Sequence, residues 1–305
     1  MSGEVTYLEA VRRALWDELE ADPQVVLLGE DIGRYGGAFR ATAGMLERFG
    51  PERVVDTPIS ESGFVGAAIG AAMMGLRPVV EFQFIDFAAN AWNMIVNFAA
   101  TCRYRWGQGV PLVLRGPSGG GVHGSAFHSG CPEGFYCHVP GLKVVAPATA
   151  EDAYGLLRAA VRDPDPVLFL EQKFLYRRIH GTLPEGDPGA RLGEARVARP
   201  GRHLTVVTWA AMLHVALEAA GTLAGEGIEL EVVDLRTLQP FDEEAVLASV
   251  RRTSRALVLA EESISGSFAG EVAARIGEAA FPFLDAPVAR LCCPDTPVPY
   301  SPPLE

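Results

Sequence analysis

The 305-residue sequence predicts a two-domain α/β protein built on a doubly wound, mainly parallel sheet. Three observations carry that prediction. Short β-rich apolar runs alternate with helix-length segments, the pattern of parallel strands covered on both faces. Hydrophobic residues make up 49% of the chain and charged residues 21%, enough apolar chain for a real core. A Gly-, Pro- and charge-rich stretch at 181–202 interrupts the alternation, which then resumes.

Each element follows in order. Leu8, Val11, Leu15 and Leu19 have helical spacing. Residues 25–28, after Asp22-Pro23, read as a buried strand. A helix over 60–75, a strand over 79–82 and a long helix over 87–104 come next. Residues 112–114, 144–145 and 167–170 read as strands, with a helix over 151–161 between the last two. The second alternation has strands at 204–208, 230–233, 256–259 and 288–291, and helices at 213–224, 243–250 and 267–280. The predicted domains are 1–185 and 203–305, joined by a linker at 186–202.

Charge and composition exclude several functions. The net charge of −12 disfavours a nucleic-acid backbone or an anionic membrane as partner. Five cysteines, an odd number, do not read as a disulfide framework. A reducing compartment is expected. The N-terminus shows no basic start followed by an apolar run. The longest apolar stretches, 63–76 and 87–100, fall short of the roughly 20 residues that span a bilayer. The expectation is a cytoplasmic protein with no membrane and no nucleic-acid partner.

The chemistry lies in two stretches. Asp56-Thr57-Pro58-Ile59-Ser60-Glu61 enters a helix whose face at 63, 66, 67, 70, 71 and 74 is nearly all small residues. A first-turn acid is ordinarily explained by the helix dipole. A small-residue face, however, lets another helix approach closely and can leave Glu61 at a dry junction, where burial raises a carboxylate's pKa. From Arg115 to His138, Gly116, Gly119, Gly120, Gly121 and Gly124 predict an exposed loop after a strand, and such loops line the ligand crevice of a parallel sheet. His123 and His128 lie on it, although a loop histidine is commonly just solvated. His128, Cys131, Cys137 and His138 lack the spacing of a zinc knuckle. Asp163 and Asp165 end a helix, either as a simple turn or as a hard-cation site. No Walker motif or dinucleotide fingerprint is present, and Gly33, Gly36 and Gly37 do not make one. Either no nucleotide-like cofactor binds, or a partner chain supplies the phosphate site.

Six ordered stretches together resemble one family. They are Val26-Leu27-Leu28-Gly29-Glu30-Asp31-Ile32-Gly33, Asp56 to Glu61, Gly75-Leu76-Arg77-Pro78-Val79, Pro140-Gly141-Leu142-Lys143-Val144-Val145, Asp163 to Glu171, and Asp234-Leu235-Arg236-Thr237-Leu238-Gln239-Pro240. The sequence resembles the β subunit of the thiamine-diphosphate-dependent 2-oxoacid dehydrogenases of the pyruvate, branched-chain (2-oxoisovalerate) and acetoin types. The resemblance implies a pyrimidine-binding domain followed by a transketolase C-terminal-like domain. It implies an α2β2 heterotetramer whose α subunit holds Mg2+ and the diphosphate through a Gly-Asp-Gly…Asn motif. Gly186-Asp187-Pro188 does not match that motif.

By position, the resemblance implies that Glu61 bonds the pyrimidine ring, that Phe87 packs on it, and that Gln83 also binds cofactor. It implies that His128 faces substrate and the incoming lipoyl group. It gives Leu112, Ala160, Val161, Asp163 and Asp165 as a potassium site. The implied reaction is oxidative decarboxylation of a branched-chain 2-oxoacid or pyruvate, with reductive acylation of a lipoyl group on a dihydrolipoyl acyltransferase. Alternatives are an acetoin dehydrogenase subunit or a non-catalytic scaffold; Glu61 and His128 together argue against the scaffold. Two departures stand out. Gly130 replaces the glutamine that usually follows His-Ser. Many members also continue into a final helix, beyond the point matched by Glu305, that contributes to acyltransferase docking.

Overall fold

The structure, a computed structural model, describes residues 3–186 and 188–305. Asp187, in the Gly186–Pro188 stretch, lies outside the described residues. β1 (Glu4–Thr6) leads into α1 (Tyr7–Ala21), where Thr6 and Glu9 form a reciprocal capping box. β2 (Val25–Gly29), α2 (Met45–Phe49), β3 (Val54–Asp56), α3 (Glu61–Met73) and β4 (Arg77–Glu81) follow. Then come α4 (Cys102–Trp106), β5 (Val113–Ser118), α5 (Glu133–Cys137), β6 (Lys143–Val145), α6 (Ala150–Arg162) and β7 (Val167–Gln172). β8 (His180–Thr182) and β9 (Arg196–Arg199) precede β10 (Leu204–Thr208), α7 (Ala211–Ala224), β11 (Leu230–Asp234) and β12 (Thr237–Gln239). α8 (Glu243–Thr253), β13 (Ala256–Ser263), α9 (Phe268–Ala279) and β14 (Ala289–Cys293) complete the chain.

A seven-stranded sheet runs β12-β6-β7-β5-β4-β2-β3, and a five-stranded sheet runs β14-β13-β10-β11-β9. In the larger sheet every pairing is parallel except that of β12 with β6. β12 is supplied from the second half of the chain. α1 and α6 pack on one face through Tyr7, Val11, Leu15, Tyr154 and Leu157. On the other face lie Phe64, Val65, Ile69 and Ile95, in a core that continues into the second sheet through Trp209, Val233, Val258 and Phe268. Apolar burial therefore joins the two sheets as well as filling each one.

Three segments differ from the sequence reading. The helix expected over 87–104 is broken into a 3-10 stretch (Ile85–Ala91), a π stretch (Met94–Ala99) and α4. The Asn93 and Asn97 amides bond each other (2.8 Å), and the Thr101 hydroxyl donates to the Asn97 carbonyl (2.7 Å). The Ala100 N–H reaches back five residues to Ile95 (3.0 Å). Side-chain bonds of this kind compete with the regular ladder.

Second, Arg115 to Ser118 is not exposed loop: it continues β5 and is buried throughout. Arg115 is 1% exposed and is balanced by Glu81 and Glu171, both buried. Gly116 lets β5 run close to the Phe82 carbonyl, 3.2 Å from where a Cβ would sit. Third, the stretch expected to lack pattern contains β8, paired antiparallel with β1, and β9, an antiparallel edge strand on β11.

Candidate active site

The parallel pairing puts the C-terminal ends of β2, β3, β4, β5 and β7 on one edge of the sheet. The chain leaves β2 toward β3 and leaves β4 toward β5, in opposite directions. A crevice opens at such a switch point, where parallel sheets bind ligands. The segments that follow these strands carry Glu30, Glu61, Gln83, Phe84, Asp86, Phe87, His128 and Lys173.

Glu61 is the first residue of α3 and is 8% exposed. Among the described residues its carboxylate has no hydrogen-bond partner. Glu30, one residue beyond β2, is buried, and its Oε1 is likewise unpartnered. Burial, then the Glu61 and Asp31 charges, push the Glu30 carboxyl above its ordinary value. Glu30 belongs to a recognisable stretch, and its place just past a strand end was the signal that it also faces the crevice. The exposed side of α3 carries Ser62, Gly63, Ala67 and Gly70, so the small-residue face points away from the core.

His128 packs edge-on against two rings. Its centroid lies 4.4 Å from Phe84 and 5.8 Å from Phe87. Its Nδ1 lies 3.1 Å from the Gly124 carbonyl oxygen. His128 and Phe87 are thus brought together, with Phe84 as a third member. Gln83 donates to Asp31 Oδ2 at 3.3 Å, beside Glu30. His123 turns elsewhere, its Nδ1 at 2.6 Å from the Glu305 carboxylate. Asp31, His123 and Ser125 hold positive φ of 56°, 60° and 63°, and such strained backbone clusters at functional sites. An apolar cavity of about 560 Å³ adjoins the His128 loop, lined in part by Phe87, Trp92, Phe127, Phe135 and Tyr136.

Behind the loop lies a group of buried charges without sequence motif. Glu262 accepts N–H groups from Gly134 (2.8 Å) and Phe268 (3.0 Å). Burial pushes the Glu262 carboxyl up, and burial plus the Glu262 charge pushes Glu133 up. Lys173 Nζ has no hydrogen-bond partner and its pKa is lowered by burial.

The five residues of the expected cation site gather around the end of α6. The Leu112 carbonyl accepts from Val167 N–H (2.9 Å), that of Ala160 from Asp163 N–H (3.2 Å), and that of Val161 from Arg77 (3.0 Å). Lys143 pairs with Asp163 and Arg103 with Asp165, each at 2.6 Å. Among the described residues no three His, Cys, Asp or Glu side chains converge on a possible metal position.

These residues fit one end of a thiamine cofactor. An unpartnered buried carboxylate and an aromatic cluster suit an aminopyrimidine ring, whose nitrogens need hydrogen bonds and whose faces are apolar. For the diphosphate end the sequence offers neither a Walker motif nor a dinucleotide fingerprint.

Comparison with known proteins agrees. Residues 3–178 match the transketolase pyrimidine-binding domain and residues 193–305 the transketolase C-terminal domain. The chain is 48% identical to the 2-oxoisovalerate dehydrogenase subunit beta of Bacillus subtilis, over 99% of this chain and 93% of that protein. It is 44% identical to the B. subtilis pyruvate dehydrogenase E1 component subunit beta, over 98% and 92%. It is also 44% identical to the acetoin:2,6-dichlorophenolindophenol oxidoreductase subunit beta of Cupriavidus necator, over 97% and 90%. A solved split-gene transketolase, an inactive β4 tetramer, superposes with a TM-score of 0.77 at 25% identity, covering 96% of this chain and 91% of that one. With both domains matched and the crevice of the right chemistry, the chain belongs to the transketolase-like β subunits of the thiamine-diphosphate-dependent 2-oxoacid dehydrogenases, which act with an α subunit.

Proposed function

We propose that this β subunit forms an α2β2 heterotetramer that decarboxylates a branched-chain 2-oxoacid and passes the acyl group to the lipoyl group of a dihydrolipoyl acyltransferase. Pyruvate is the second candidate substrate. The buried, unpartnered Glu61 carboxylate at the switch-point crevice carries the reading. The 48% identity to a 2-oxoisovalerate dehydrogenase subunit and the apolar cavity beside Phe87 favour a branched aliphatic acyl chain.

When bound, thiamine diphosphate supplies the electron sink for decarboxylation. Glu61 supplies negative charge at a pyrimidine ring nitrogen and so favours a proton there. Phe87 and Gln83 hold the ring, and Phe84 and Phe87 exclude water around His128. His128 donates a hydrogen bond or a proton during acyl transfer. The α subunit supplies Mg2+ and the diphosphate contacts, and the exposed small-residue face of α3 suits a closely packed partner. Leu112, Ala160, Val161, Asp163 and Asp165 offer oxygens to potassium.

The test is co-expression with an α chain and a lipoyl acceptor, measuring reductive acylation with 2-oxoisovalerate, pyruvate and acetoin. Turnover highest on 2-oxoisovalerate is the expected result. A preference for pyruvate selects the second candidate; acetoin alone, or no turnover with any of the three, removes the proposal.

A further inference from the structure

We propose that Asp86 is the positioning residue of the His128 loop, a role that rests on the acyl-transfer reading of His128 given above. Asp86 follows β4 on the same short segment as Phe84 and Phe87, the two rings that His128 packs against. Its Oδ1 accepts the Gly130 N–H at 2.9 Å, across 44 residues of sequence. The Gly130 carbonyl accepts the Gly119 N–H at 2.9 Å. The residue two positions after His128 is therefore held at both of its main-chain polar groups. The hydrogen bonds of His128 itself, to Ser125 (3.2 Å) and Gly124 (3.1 Å), are internal to the loop and cannot place it on the sheet. Among the described residues, Asp86 is the one side chain from outside the loop that hydrogen-bonds residues 124–130.

Two further observations separate this role from ordinary packing. Gly130 leaves the room that the carboxylate occupies: a Cβ there would sit 2.5 Å from Asp86 Oδ1. A larger residue at 130 would require Asp86 to swing away from the N–H it accepts. In addition, Asp86 Oδ2 is buried with no hydrogen-bond partner. A buried acid with one oxygen unsatisfied works against stability. Its presence is explained by what it fixes, the position of the loop, and not by any contribution to the fold. Burial raises the Asp86 carboxyl above its ordinary value, and the bond from the Gly130 N–H, followed by the Lys173 and His128 charges, opposes that rise.

A shift of about 1 Å at a catalytic group can cost about 10²-fold in rate. The experiment is a double-mutant cycle in the assembled enzyme, read as reductive acylation of a lipoyl domain. His128→Ala is expected to lower the rate by about 10²–10⁴-fold, and Asp86→Ala by about 10–10²-fold. The double variant is expected to fall no further than His128→Ala alone, because Asp86 acts through His128. Asp86→Asn keeps an acceptor oxygen for Gly130 and should stay within about threefold of wild type. If Asp86→Ala does not assemble, Asp86→Ser takes its place in the cycle.

Multiplicative losses in the double variant would overturn the positioning role while leaving His128 in the mechanism. So would wild-type activity in Asp86→Ala, or an Asp86→Asn variant as poor as Asp86→Ala. Near-normal acylation by His128→Ala would instead remove the reading of His128 and this proposal with it.

Discussion

Glu61 is where the chemistry can be tested most sharply. A first-turn glutamate with only a structural role contributes about 0.3–1 kcal/mol to its helix, and replacing it with Gln would hardly touch catalysis. A carboxylate that favours a proton on the pyrimidine ring is different, because Gln fills the same space without the charge. Glu61→Gln is expected to assemble with its α partner, to keep much of its cofactor binding, and to lose activity by about 10² or more. Hydrogen–deuterium exchange at the thiazolium carbon measures the step directly; wild-type exchange in the variant would return Glu61 to a structural role. Glu133 supports a second prediction. Its carboxyl is raised in the folded protein by burial and by Glu262, so the folded state holds a proton that the unfolded chain releases near pH 4.3, by the ordinary carboxylate value of about that size. Stability is then greatest at low pH and declines as pH rises from the unfolded value toward the folded one. Glu133→Gln should remove that part of the decline, raising Tm at about pH 8 by about 2–4 °C for each 1 kcal/mol recovered. Melting curves from about pH 5.5 to 8.5 check the sign, and parallel curves for both proteins would refute it. Glu61 and His128 were legible because motifs announced them. Asp86, Glu133 and Glu262 were not, since each meets a group far off in sequence, as Asp86 meets Gly130, Glu262 meets Gly134 and Glu133 meets the Glu262 charge; Lys173 is buried without a hydrogen-bond partner and carries no motif.

At the scale of the element, the turn after α6 tests the cation proposal. Asp163 caps α6, and its Oδ1 accepts the Asp165 N–H at 2.9 Å, so one carboxylate shapes the turn. The main-chain oxygens of Leu112, Ala160 and Val161 each keep a second lone pair beyond the bonds described. Lys143 and Arg103 already balance the two acids, so potassium binding would draw mainly on those carbonyls and on the ordered turn. At constant ionic strength, Tm is expected to rise with potassium more than with sodium, as for any ligand of the folded state alone. Asp163→Ala should blunt the response; an identical potassium dependence in that variant would count against the site. The elements themselves were mostly legible, because periodicities of two and 3.6 survive in a well-covered parallel sheet. The failures came where side chains intervened. Asn93, Asn97 and Thr101 diverted the ladder of the long helix, and Glu81 and Glu171 allowed Arg115 to be buried within a strand. A charged residue followed by Gly-Pro reads locally as loop, and only its distant counter-charges reverse that.

For the whole molecule, the half-built cofactor site has a plain consequence. Among the described residues the crevice offers acids and aromatic rings for a pyrimidine but no Gly-rich phosphate motif, so the isolated chain is expected to bind thiamine diphosphate weakly and to show no turnover. Calorimetric titration of the chain alone and with its α partner checks this; tight binding and full activity without the partner would refute it. The β12–β6 pairing has a consequence of another kind. Three residues near the middle of the second half, Thr237–Gln239, complete the edge of a sheet otherwise built from residues 25–172. A gene fragment ending at residue 185 would still encode both domain-one helical layers, yet it would leave the outer edge of β6 bare, with main-chain donors and acceptors free to recruit another molecule's strand. The cut that looks natural along the sequence therefore passes through a shared hydrogen-bonded seam.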